Sequence, residues 1–266
     1  MNQNRNKTKI VATLGPASSS KETIKAMIDA GVNVFRINFS HADYDDVKER
    51  IKIIRSLNDE FGYHTAILAD LQGPKLRVGV MEDGVVVKPG DHIVFKTGKR
   101  FVGSKTKAFM NYLEFPSDVQ PGERILLDDG KLIFEVVSSD GVSSVEALVV
   151  QGGPLKSNKG VNLPNTKISL PALTPKDLKD ADFAIEQQVD WIALSFVRNE
   201  DDLKLLQAII EEKSEVKIPI IAKIEKPEAI VNIDKIVAFC DGLMVARGDL
   251  GVEMPAAEVP LIQKQL

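Results

Sequence analysis

DWIALSFV (190–197), NEDDLKLLQAIIEEK (199–213) and PIIAKIE (219–225) decide the fold of this chain. The first and third are short, nearly continuous apolar runs, as strands buried on both faces require. The segment between them repeats apolar residues at helical spacing behind an asparagine start. Strand, helix, strand within 36 residues is a parallel βαβ unit, and it recurs on either side. KIVATLG (9–15), VNVFRINFS (32–40) and HTAILADLQG (64–73) read as strands, with helices over 19–31 and 43–62. Downstream, 174–188 reads as a helix with Thr174 as cap and Pro175 at its first position. EAIVNIDKIVAF (228–239) reads as one helix, DGLMVARGDLG (241–251) as a strand and turn, and 256–266 as the start of another helix.

Between Pro74 and Ser169 the rhythm changes to short β-type runs broken by Gly, Asp and Pro, with no helices between them. This reads as a small antiparallel β module. About six β/α units remain, on fewer residues than the roughly 250 typical of a closed (β/α)8 barrel. The α/β part is therefore an open sheet or a barrel cut short.

Composition narrows the class. Apolar residues at 44% and charged residues at 27% suit a globular chain, and a net charge of −4 argues against a general nucleic-acid binder. No apolar run approaches the roughly 20 residues of a membrane span, and the polar start lacks a secretory h-region. One cysteine, Cys240, excludes an intrachain disulfide; it reads as a core residue in a cytoplasmic protein.

The chemistry gathers at strand ends. Arg36, Asn38 and Ser40 share a face by strand parity, at the edge where α/β sheets bind ligands; the bland alternative is a strand end reaching solvent. Lys223 and Glu225 share a face of an otherwise apolar strand. A structural ion pair is the bland reading, and a cation for developing negative charge beside a hard metal ligand is the functional one. Arg247-Gly248-Asp249 ends the next strand; a glycine-flanked aspartate in a plain turn is the bland reading, and an Asp249 that pairs with Glu225 as a second carboxylate for Mg²⁺ is the functional one. Asp70 ends the third strand. Lys75, Arg77 and Lys159 sit where the β module leaves and returns, and can equally be solvated loop charges.

Together KIVATLGPAS, VFRINFSH, LADLQGPKLR, LDDGK, KGVNLP, IAKIEKPEAI and MVARGDLGVE resemble pyruvate kinase, in family order over essentially the whole chain. The resemblance implies a (β/α)8 TIM-barrel type fold, truncated after about six units. Residues 1–73 and 170–266 would form the partial catalytic barrel, and 74–169 an inserted small antiparallel β-barrel domain after strand 3, acting as a nucleotide lid. It implies phosphoryl transfer from phosphoenolpyruvate to ADP, giving pyruvate and ATP. Glu225 and Asp249 would hold Mg²⁺ or Mn²⁺, and Lys223 would stabilise the transferring group. Arg36 would bind substrate with Gly248 and Asp249. Asn38, His41, Arg77 and Lys159 would serve the nucleotide, and Asn38, Ser40, Asp70 and the Leu71 carbonyl a monovalent cation. Leu71, Gln72 and Lys75 depart from the Thr, Lys and Glu of potassium-requiring members, which implies activity without K⁺. The same resemblance implies a homotetrameric parent and, for a chain stopping inside the sixth unit, little kinase activity and self-association. The alternatives are another Mg²⁺-dependent lyase or aldolase of the phosphoenolpyruvate/pyruvate barrels, or an inert scaffold.

Overall fold

The computed structural model describes residues 7–266, the side chain of His41 excepted. Two compact units result. The first holds the residues up to Gly73, Ala172–Lys223 and Asn232–Met244; the second holds Pro74–Pro171, Ile224–Val231 and Val245–Leu266.

The first unit is organised by a six-stranded sheet of β1 (Ile10–Thr13), β2 (Val32–Asn38), β3 (Ala66–Asp70), β4 (Trp191–Leu194), β5 (Ile220–Ile224) and β6 (Gly242–Val245). Spatial order equals chain order, and β1 through β5 pair in parallel. A doubly wound sheet reverses its order at a switch point. This one never reverses, so the architecture is that of a β/α barrel wall rather than an open doubly wound sheet.

Among the described residues the α-helices are α1 (Lys21–Asp29), α2 (Tyr44–Phe61), α3 (Pro175–Glu186), α4 (Glu200–Lys213), α5 (Pro227–Val231), α6 (Ile233–Phe239), α7 (Arg247–Glu253) and α8 (Val259–Gln265), besides a single turn at Phe115–Asp118. Their starts are chemically marked. Ser20 caps α1 by accepting the Thr23 N–H, Asp43 caps α2 by accepting from Asp45 and Asp46, and Thr174 with Asp177 forms a reciprocal capping box on α3. Gly62 ends α2 at φ 66°, a conformation costly for residues with a Cβ. On β2, Phe35 and Ile37 are buried while Arg36 and Asn38 alternate to the other face.

Three sequence expectations change. The helix read over 228–239 is two, because Asn232 leaves helical geometry (φ −100°, ψ 14°) and donates its side-chain N–H to the Arg198 carbonyl at 3.0 Å. The strand and turn read over 241–251 is a strand to Val245 followed by α7, so Gly248 and Asp249 lie in a helical turn. Ser40 does not continue β2: the chain turns into a 3-10 helix at Phe39–His41, so strand parity cannot place Ser40 beside Arg36 and Asn38.

The second unit contains a six-stranded sheet ordered 161–162, 124–127, 132–139, 144–151, 92–96, 107–109, around a core in which Phe95 meets Phe115 and Phe134 edge-on. Its pairing is antiparallel except between 92–96 and 107–109, which run parallel. The ten residues 97–106 form a crossover there rather than a tight hairpin, and parallel neighbours need such a connection. Cys240 is half-buried, and burial raises its thiol pKa. Among the described residues no helix is long and apolar enough to cross a membrane.

Candidate functional site

In the first unit, the carboxyl ends of β2, β3 and β5 bring three charges together. Asp70, 1% exposed, accepts from Arg36 Nε at 2.6 Å, pairs with Arg36 Nη2, and lies 3.1 Å from Lys223 Nζ through its other oxygen. Arg36 Nη1 also donates to Thr13 Oγ1 at 2.9 Å, which anchors the guanidinium to β1. Lys223 Nζ donates to Ser195 Oγ at 2.7 Å, and Ser195 in turn donates to the Leu71 carbonyl at 2.6 Å. Two cations around one carboxylate leave a net positive charge on these three groups. In a region shielded from water that excess attracts an anion far more strongly than it would at an open surface.

Three of the four residues expected to hold a monovalent cation already have protein donors on their oxygens. Leu71 O receives Ser195, Asp70 receives Arg36 and Lys223, and Asn38 Oδ1 accepts the Ser40 N–H at 3.0 Å.

In the second unit, Glu225 follows β5 and is 1% exposed, whereas Asp249 and Gly248 are exposed on the first turn of α7. A Cβ added at Gly248 would meet no protein atom within 4 Å, so protein packing does not demand glycine and room remains for a ligand. Lys226 pairs with Glu253 at 2.9 Å, and Asn162 donates to the same carboxylate at 2.8 Å. Arg77 Nη1 donates to the Asn158 carbonyl at 3.0 Å. Lys159 pairs with Asp128 at 2.9 Å, and that hydrogen bond, above all, holds the Asp128 carboxyl below its usual range. Lys75 lies at the start of this unit, its carbonyl accepting from Asn111 at 3.3 Å. The His41 side chain lies outside what the structure describes.

Among the described residues no three Asp, Glu, His or Cys side chains converge into a protein-only metal cage. Mg²⁺ does not need one, because it takes one or two carboxylates and completes its shell with substrate oxygens and water. Glu225 and Asp249 are hard oxygen donors of the kind that ion takes. Ser195 escaped the sequence reading although it sits on the parity of Ala193, just past β4. Asp177, wholly buried and accepting the Gly73 N–H at 2.9 Å, escaped as well.

A β/α-barrel sheet with cations and a carboxylate at the carboxyl ends of its strands places this chain in the α/β-barrel class, whose ligand sites lie at that edge. Comparison with known proteins narrows this: the chain belongs to the pyruvate kinase family. The family model described as pyruvate kinase, barrel domain, matches residues 5–266. A pyruvate kinase of Corynebacterium efficiens is 46% identical over 259 residues, covering 97% of this chain and 54% of that protein. A pyruvate kinase of Clostridium perfringens is 42% identical over 261 residues (98% and 55%), and one of Geobacillus stearothermophilus 45% over 264 residues (98% and 45%). The chain spans about half the length of the curated relatives it matches.

Proposed function

We propose that the chain carries the phosphoryl-transfer site of a cytoplasmic pyruvate kinase, homotetrameric as a whole protein, which moves the phosphoryl group of phosphoenolpyruvate to ADP. The observation that supports this most is the Arg36–Asp70–Lys223 cluster, with Ser195 orienting the lysine, at strand ends in a member of this family. Phosphoryl transfer is mostly positioning and charge stabilisation, and a buried, pre-oriented ammonium offers both without reorganising during the reaction. Lys223 stabilises charge on the transferring group and the enolate oxygen. Arg36 binds the substrate, aided by the backbone at Gly248. His41, Asn38, Arg77 and Lys159 contact the nucleotide, with 74–169 as its lid and 1–73 and 170–266 as the barrel. Bound to Glu225 and Asp249, Mg²⁺ or Mn²⁺ would neutralise phosphate and enolate oxygens. Asn38, Ser40, Asp70 and the Leu71 carbonyl would be the monovalent-cation site, left unused here because Lys75 supplies the charge.

Isothermal titration of this chain tests the reading. Phosphoenolpyruvate should bind only with Mg²⁺ or Mn²⁺ present, ADP should also bind, and Lys223→Met should weaken phosphoenolpyruvate binding by about tenfold or more. Phosphoenolpyruvate binding without any ADP binding points instead to a lyase of the same barrel type. No binding of either leaves an inert scaffold.

A further inference from the structure

The residue that follows one candidate metal ligand pairs with a residue one helical turn beyond the other. Glu225 is followed by Lys226, and α7, which carries Asp249, ends on Glu253. Lys226 Nζ lies 2.9 Å from Glu253 Oε1, their side chains 7% and 1% exposed. Asn162 Nδ2, from the short strand 161–162, donates to the same Oε1 at 2.8 Å. The second oxygen, Oε2, is buried and has no hydrogen-bond partner among the described residues. A buried ion pair seldom stabilises a fold more than apolar side chains of the same volume, so stability alone gives no reason for this one. Its location does. Lys226 is the next residue after Glu225, so its charge is carried on the side chain adjacent to the one on which a divalent cation would sit. Positive centres on adjacent side chains in a water-poor region repel each other, and a doubly charged ion feels twice the effect.

We propose that Glu253 is a positioning residue for the divalent-cation site. Its carboxylate cancels the charge of Lys226 beside Glu225 and, tied by Asn162, fixes the end of the helix that carries Asp249. The inference rests on the reading of Glu225 and Asp249 as metal ligands and adds the group that makes the surroundings tolerant of a cation.

The test titrates the chain with Mn²⁺ alone, reading free ion by electron paramagnetic resonance and bound ion by water-proton relaxation, with circular dichroism melts on every variant. The unaltered chain should bind, and Glu225→Gln should abolish binding. Glu253→Gln, which keeps shape but strands the Lys226 charge, should weaken Mn²⁺ by about tenfold or more. Lys226→Met should not weaken it. Lys226→Met/Glu253→Gln should return to within about threefold of the unaltered chain, because both charges are gone. A role in packing alone predicts the opposite: both single changes weaken binding and the double change is no better. Native-like binding by Glu253→Gln, or a double variant no tighter than Glu253→Gln, overturns the proposal. If Glu253→Gln does not fold, the double variant decides, and binding weaker than that threefold margin overturns it. If the unaltered chain binds no Mn²⁺, or Glu225→Gln binds it normally, the metal-site reading itself fails and this inference with it.

Discussion

Asp177→Ala should strongly destabilise the first unit. The Asp177 carboxylate is 0% exposed and takes three donors: the Gly73 N–H at 2.9 Å on one oxygen, and the Thr174 N–H at 2.9 Å and hydroxyl at 2.5 Å on the other. Alanine strands the buried Gly73 amide and removes the acceptor of the part-buried Thr174 amide. The buried amide left without an acceptor costs about 1–3 kcal/mol, and the Thr174 bond, which is half of the α3 capping box, about 1 kcal/mol more. The sum is about 2–4 kcal/mol. Asp177→Asn keeps the volume but offers a single acceptor oxygen, enough for Gly73 or for Thr174, so about half that loss is expected. Urea unfolding followed by far-ultraviolet circular dichroism gives both numbers, and amide exchange at Gly73 locates the effect. A loss under about 1 kcal/mol for alanine at unchanged m-value, or equal losses for the two variants, refutes the reasoning.

Asp70→Asn removes a counter-charge of Lys223, which is 8% exposed, and should cost about 3 kcal/mol in the same urea experiment. Arg36, one quarter exposed, adds little. Asp70→Asn/Lys223→Met should recover most of the loss, and a double variant no more stable than the single one defeats the charge argument. Gly73→Ala, at φ 70° with its Cβ 2.9 Å from Phe196, should destabilise by about 2 kcal/mol or more, against about 1 kcal/mol for Gly62→Ala at φ 66° with open space around it; equal costs would show that the Phe196 contact is irrelevant. Burial, then the hydrogen bond to Asp118, pushes the Tyr112 phenol up to about 12 from 10.0. The folded value exceeds the unfolded one, so the stability linked to the neutral phenol is complete below about pH 10 and disappears as pH rises towards about 12; alkaline unfolding of Tyr112→Phe should lack that component. In a full-length protein carrying Leu71, Gln72 and Lys75, KCl should raise turnover less than about tenfold over a matched bulky-cation salt, and a larger gain contradicts the replacement of K⁺ by Lys75.

The parallel β/α character was legible because it is local: apolar runs and helical periodicity repeat within windows of a dozen residues. Barrel wall against open sheet was not, because strand order depends on pairings such as β3 with β4, which the 74–169 stretch separates in sequence. The break at Asn232 and the 3-10 turn after Asn38 were hidden for a related reason. Each is set by a side-chain hydrogen bond that competes with the regular backbone pattern, and periodicity carries no trace of it.

Site residues divide the same way. Lys223 and Glu225 stood out because charge inside an apolar strand is locally anomalous. Ser195, Asp177 and Glu253 did not, since the partners that give them meaning lie 124, 104 and 91 residues away. Asp70 falls between the two groups. Its place at a strand end was readable, but not its two side-chain cations. A carboxylate already holding Arg36 and Lys223 is not a free ligand for a third cation. An ion entering beside it must displace one of them or find the charge already cancelled, and an arriving anionic substrate is the natural competitor for Arg36. On the proposed reading, that exchange would leave Asp70 paired with Lys223, and substrate binding and any cation requirement at this carboxylate would be coupled through one guanidinium.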